Sequence, residues 1–151
     1  MTTIAYRGTA PAMNDLIGGQ VDVMCDQTTN TTSQIEAGRV KAFAVTTAKS
    51  LSDHKLLKDY PSLQEMGVKD FNLTIWHGLY APKGTPADIT KKLNDALLAA
   101  LKDPEFIQKQ AALGAMVVKD SRATPAGHKA FVADQITKLK AVIEAAGQFA
   151  D

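Results

Sequence analysis

Short runs rich in β-branched residues alternate with short amphipathic runs over the first 47 residues of the chain. The former predict strands, and the latter predict helices that end at Gly18 and Gly38. Such an alternation with short loops predicts a parallel sheet with right-handed crossovers, since each helix must fold back over the sheet to bury its apolar stripe. In order, the predicted elements are strand 2–6, a helix from Pro11 to Ile17, strand 21–25, a helix within 29–38 and strand 40–47.

Prolines and glycines punctuate the rest of the chain. The run 71–80 has strand character and ends at the Pro-Lys-Gly-Thr-Pro sequence 82–86. Three pairs, Thr85-Pro86, Asp103-Pro104 and Thr124-Pro125, predict helix starts. Only one further short strand, 115–119, accompanies these helices. Because this is too little sheet to cover them, we expect their apolar stripes to pack on something else.

Composition limits the class of protein. A length of 151 residues with 45% hydrophobic content is enough to build a core. Lys and Arg total 17 against 16 Asp and Glu, so a net charge of +1 argues against a nucleic-acid partner. No apolar run approaches the ~20 residues of a membrane span, and the residues after Met1 do not read as a signal peptide.

Ligands of open parallel α/β sheets bind at the carboxyl ends of the strands, where loops and helix N-termini converge. In this chain those ends are residues 6–10, 26–29 and 46–47. Gly8 permits close approach of the backbone to a ligand, and Pro11 at the predicted helix start leaves neighbouring N–H groups as donors. These are the N–H groups of Ala10, Ala12 and Met13. With the helix dipole behind them, such donors suit a carboxylate or a phosphate.

Each of these features also has a plainer interpretation. The Gly-Thr-Ala-Pro sequence is an ordinary strand-to-helix turn in many proteins, and Arg7 is equally consistent with a solvated side chain. Tyr6 is consistent with two roles, the last buried residue of a strand or a side chain that covers a ligand. The segment 26–29 is rich in ordinary helix-capping residues. The residues alone therefore leave a binding site and a set of turns as alternatives.

Signatures of catalysis are missing from the sequence. His54, His77 and His128 show no metal-ligand spacing, and the nucleophile-elbow and phosphate-loop motifs do not occur. The lone cysteine, Cys25, lies in an apolar predicted strand, where we expect an inert buried thiol. The sequence thus predicts a binding protein and no enzyme, with no metal and no cofactor.

Consecutive motifs point to a family. The sequences YRGTAPAMNDLIGGQVDVMCDQ, IEAGRVKAFAVTTAKS, PSLQEMG and WHGLYAPKGTP, followed by KLNDALLAALKDPEF, resemble the Bug-type (TctC-like) substrate-binding proteins of tripartite tricarboxylate transporters. The resemblance implies a periplasmic binding protein of the type II α/β architecture, in which two domains close on a small organic acid without covalent chemistry. It also implies membrane transporter subunits as partners and a periplasmic location. Carried to this chain, the ligand-binding residues are Tyr6, Gly8, Thr9, Ala10, Asp26 and Thr28.

The resemblance covers the C-terminal half of such proteins. It implies a ligand-binding α/β domain with a crossing strand at 1–81 and a partial helical return to the first domain at 82–151. We therefore expect a truncated solute-binding protein whose uncovered helices associate with another copy, with segments exchanged between copies as one form. The alternative is an oligomeric structural or interaction protein in which the ligand site is vestigial.

Overall fold

The computed structural model of the chain describes residues 2–147. Its regular structure within this range is helical, as the amphipathic runs predict. The helices are α1 Thr9–Ile17, α2 Thr28–Glu36, α3 Ala87–Ala100, α4 Pro104–Ala112 and α5 Pro125–Ala146, with a 3-10 turn at Ser121–Ala123. None of the helices in the described range combines the length and apolarity needed to cross a membrane.

Two of the three predicted cap pairs begin helices as expected. The Thr124 hydroxyl accepts a hydrogen bond from Gly127 N–H at 3.2 Å, and the Asp103 carboxylate accepts one from Phe106 N–H at 2.7 Å. Both side chains satisfy backbone donors that have no partner inside the helix. The third prediction is wrong in detail, because the Thr85 hydroxyl donates back to the Pro82 carbonyl at 2.9 Å and α3 begins without a side-chain cap.

The predicted strands form no strand ladder between residues 2 and 147. The single pairing in this range is an isolated parallel bridge between Val45 and Ser62. Val45 N–H donates to the Pro61 carbonyl at 2.9 Å and Leu63 N–H donates to the Val45 carbonyl at 3.0 Å. Of the predicted parallel sheet, the described residues therefore contain only this one bridge.

Within the described residues, the predicted sheet does not form because its two faces are not covered. A parallel sheet is stable when both of its faces are buried. Apolar side chains of three predicted strands remain exposed, with 57% of Ile4, 55% of Val23 and 70% of Phe43 accessible to solvent. Cys25, which we expect to be buried, is also exposed. The described part of the chain therefore does not supply the neighbouring strands that these segments need to form a full sheet.

The chain divides into two compact units. The first comprises residues 1–76 with 109–116, and the second comprises residues 77–108 with 117–151. The described residues of the first unit contain two buried hydrophobic side chains, Met13 and Leu57, together with buried Thr32 and Ser62. All six predicted ligand-binding residues belong to this first unit. The predicted domain boundary near residue 81 stays a prediction.

Candidate functional site

The first part of the candidate site is the start of α1. The helix begins at Thr9, so Pro11 is its third residue and not its first as predicted. Helices leave their first backbone donors without an internal partner, and no side chain caps this end. Because Pro11 has no N–H, the donors that remain are those of Thr9 and Ala10. The predicted donors Ala12 and Met13 lie inside the helix instead.

Gly8, just before this helix start, has an unusual backbone conformation. It is the residue before the helix and has φ 126° and ψ 173°, a conformation that is essentially restricted to glycine. A Cβ atom at this position would meet nothing within 4 Å. Glycine is therefore required here by the backbone conformation and not by a lack of space.

The start of α2 lies against the start of α1. Asn30, in the first turn of α2, donates through its side-chain Nδ2 to the Thr9 hydroxyl at 3.2 Å. The same nitrogen donates to Asp26 Oδ1 at 3.2 Å. Since no side chain caps the α2 start either, two helix N-termini with unsatisfied backbone donors are held together by one amide. The structure thus brings Thr9, Asp26 and Thr28 into one neighbourhood.

Asp26 is engaged in local bonds. Its Oδ1 accepts the Gln27 N–H at 2.6 Å in addition to the Asn30 amide. A carboxylate at a helix N-terminus is favoured by the helix dipole. Asp26 thus binds the residue before α2 and the first turn of α2, without forming a side-chain cap of the helix.

Tyr6 is turned toward the second turn of α1. Its hydroxyl donates to Asp15 Oδ2 at 2.7 Å. This hydrogen bond, followed by burial and the charge of Asp15, raises the pKa of the Tyr6 phenol above its usual value of 10.0. Because its hydroxyl proton is committed to Asp15, Tyr6 anchors the loop before α1.

Thr28 packs closely against Gly114, a residue that is distant in sequence. A Cβ atom at Gly114 would lie 3.0 Å from Thr28 Cβ and 3.3 Å from Leu57 Cδ1. Gly114 also has φ +71°, which disfavours other residues. The α2 start therefore packs directly on the backbone after α4.

Perturbed carboxyl groups elsewhere have structural explanations. The pKa of Glu65 is lowered because its carboxylate accepts the backbone N–H groups of Ser62 at 2.8 Å and Ser50 at 3.3 Å. Hydrogen bonds from the Arg122 side chain and backbone lower the pKa of Asp120 to about 2. Within residues 2–147, no group of three or more His, Cys, Asp or Glu side chains is placed to hold a metal ion.

The second unit contains a cavity of about 380 Å³. Its walls are mostly apolar, and two lysines and an aspartate carry the charge. The lining residues are Leu98, Leu101, Lys102, Ile107, Val118, Lys119, Asp120, Ala123 and Thr124. Among these groups, Asp120 is bound to Arg122. None of the predicted ligand-binding residues lines it.

Three residues that shape the candidate site were not predicted. Asn30 links the two helix starts, Asp15 binds Tyr6, and Gly114 supports Thr28. Asn30 and Asp15 lie on the two helices that carry or follow predicted site residues, so their proximity was predictable, although the direction of their side chains was not. Gly114 lies 86 positions from Thr28 (114 − 28) and gave no such signal.

Comparisons with known proteins show the family to which the chain belongs. A family model described as the tripartite tricarboxylate transporter family receptor (TctC) matches residues 1–148. A UPF0065 protein from the TAR-I ttuE-ttuC' intergenic region of Agrobacterium vitis is 48% identical over 148 residues, covering 98% of this chain and 42% of the relative.

Solved structures show the same likeness. The periplasmic binding protein BugD is 49% identical with a TM-score of 0.86, over 95% of this chain and 47% of BugD. MatC from Rhodopseudomonas palustris, solved with bound malate, is 33% identical with a TM-score of 0.83, over 92% of this chain and 46% of MatC. The chain thus spans less than half the length of these proteins.

These matches confirm the predicted fold class, a type II periplasmic-binding-protein α/β fold that is mostly helical in the described residues. The low strand content does not conflict with the TM-scores, because superposition compares the path of the chain and not its ladder hydrogen bonds. The family match extends over nearly the whole sequence and is supported by a relative at 48% identity. This chain belongs to the tripartite tricarboxylate transporter receptor (TctC) family.

Proposed function

We propose that the chain is a solute-binding module that binds a small dicarboxylate at the adjoining N-termini of α1 and α2. The observation that carries this proposal is the Asn30 amide, which holds two uncapped helix starts together. Helix N-termini attract anions through their unpaired N–H groups and the positive end of the helix dipole. MatC, a relative in fold and sequence, is a protein that holds malate.

The groups around the helix starts suit one end of such an acid. Backbone N–H groups of Thr9 and Ala10 would donate to a ligand carboxylate, while Gly8 allows the ligand to approach the backbone. Asp26 would repel a carboxylate, so we assign it to a ligand hydroxyl or another donor group. Tyr6 and Thr28 complete the proposed set, Tyr6 by anchoring the loop and Thr28 by its place in the first turn of α2.

The wider role follows from the family. We propose a periplasmic, non-enzymatic module of an uptake system that works with membrane transporter subunits and needs no cofactor. The proposed ligand contacts come from one unit of the chain. Because small-molecule sites bury most of the surface of their ligand, we expect weak binding unless the remaining part of a family-length protein contributes.

An NMR titration of the ¹⁵N-labelled chain tests the proposal at millimolar affinity. Malate, succinate and adipate should shift the amide signals of residues 8–10 and 28–30. Thr9→Pro removes a donor at the first position of α1 and should abolish these shifts, whereas Ala87→Pro makes the same change at the first position of α3 and should not. Signals that stay unmoved with all three acids, or move only near α3, would refute the site.

Exposed apolar side chains support a second candidate, self-association as an interaction protein. Met116 is 81% accessible in the first unit, and Ile136 and Val142 on α5 are 65% and 63% accessible in the second. Apolar surface of this kind favours contact with another chain. Light scattering after size exclusion should then give a multiple of 16.1 kDa. A monomer at micromolar concentration would exclude this candidate.

A further inference from the structure

We infer that Asn30 is a positioning residue of the candidate ligand site, which orients the Thr9 hydroxyl as a hydrogen-bond donor to the ligand. This inference rests on the proposed carboxylate site and adds the side chain that sets its geometry. It begins with the two hydrogen bonds of the Asn30 amide, both within the first unit of the chain.

The identity of Asp26 fixes which way round the Asn30 amide lies. An ionised carboxylate only accepts hydrogen bonds, so the atom of Asn30 that faces Asp26 Oδ1 must be the nitrogen. An amide nitrogen carries two hydrogens. With one hydrogen directed to Asp26, the other is directed to the Thr9 hydroxyl at 3.2 Å.

The Thr9 hydroxyl is thereby set as an acceptor on its Asn30 side. A hydroxyl has one hydrogen and two lone pairs, so the hydrogen of Thr9 must point elsewhere. Within the described residues, no acceptor takes this hydrogen. Thr9 is also the first residue of α1, so its backbone N–H lacks an internal partner. Thr9 therefore offers two donors at one helix start, and Asn30 selects the direction of one of them.

This role differs from that of a simple structural link. Removing the Asn30 side chain leaves the hydrogen bond from Gln27 N–H to Asp26 in front of α2. What is lost is the fixed orientation of the Thr9 hydroxyl. Hydrogen bonds to charged groups contribute about 1.5–3 kcal/mol, which corresponds to roughly 10- to 150-fold in affinity. Loss of orientation alone should remove part of this, about 5- to 20-fold.

A double-mutant cycle on malate binding, followed by NMR on the full chain, tests the inference. Asn30→Ala should weaken malate binding by about 5- to 20-fold, and Thr9→Val, which removes the whole hydrogen bond, by about 10- to 150-fold. The double variant should bind within about twofold of the weaker single variant, since Asn30 acts through Thr9. Asn72→Ala, an exposed asparagine of the same unit, serves as the matched control and should not change the affinity.

The outcomes separate this inference from the function on which it rests. A wild-type chain that shows no shifts with malate, succinate or adipate overturns the proposed site and the inference together. Malate binding that Asn30→Ala leaves unchanged, or losses that simply add in the double variant, overturn the inference alone. If Asn30→Ala does not fold, Asn30→Leu has a similar size, no charge and no amide hydrogens, and must still weaken binding. Thr9→Ser keeps the hydroxyl and should retain affinity within about twofold.

Discussion

Replacing Gly8 by alanine tests whether one backbone conformation organises the candidate site. Gly8 has φ 126° and ψ 173°, a region that residues with a Cβ atom avoid. An added Cβ would meet no atom within 4 Å, so steric crowding contributes nothing and the cost is conformational. We expect Gly8→Ala to lower the free energy of unfolding by about 1–3 kcal/mol, or to shift the start of α1.

Urea unfolding followed by far-UV circular dichroism measures this loss, and amide hydrogen exchange along α1 localises it. Gly38→Ala is the matched control, since Gly38 has φ 69°, also has open space where the methyl group would be added and follows α2. The ordinary left-handed conformation should cost about 1 kcal/mol, less than at Gly8. A Gly8→Ala variant with unchanged stability and unchanged exchange in α1 would refute the conformational argument.

Three further predictions concern packing and titration. Gly114→Ala should destabilise the fold by about 1–3 kcal/mol in urea unfolding, because the new methyl group meets the α2 start; equal stability would contradict that contact. The pKa of the Tyr6 phenol is raised, so the stabilising hydrogen bond to Asp15 is present below pH 10 and is lost as the pH rises further. In an ultraviolet titration of Asp15→Asn, the phenol that ionises at unusually high pH in the wild type should no longer be seen. The pKa of Asp120 is lowered to about 2, so its contribution is present above pH ~4 and lost as the pH falls toward 2; NMR should find its pKa returning toward 3.8 in Arg122→Gln.

The helices were predictable because their signals are local. A cap residue followed by proline and an apolar stripe marks the start of α5, and Gly147 with φ 79° marks its end. The start of α1 was misplaced by two residues because proline is tolerated throughout the first turn and does not identify the first position. Local chemistry was sufficient to find these helices but not to fix each boundary.

The strands were predicted to form a parallel sheet, of which the described residues contain only the bridge between Val45 and Ser62. Their alternating pattern gives the face that each side chain prefers, but a ladder also needs a neighbouring strand and a covering layer. For Phe43, neither is supplied by the described residues. The adjacency of Thr9 and Asp26 followed from strand order, whereas the Asn30 amide between them depends on a side-chain direction that sequence spacing does not specify.

The bridge between Val45 and Ser62 has a consequence for how the chain behaves while it folds. Helices complete themselves from residues close in sequence and form early, whereas an extended segment must wait for a distant partner. During that time the segment 40–47 presents Phe43 and an unpaired backbone edge to other molecules. We expect this segment, far along the chain from α5, to favour precipitation, and we expect a charged residue in place of Phe43 to raise solubility while leaving the proposed ligand-binding helix starts untouched.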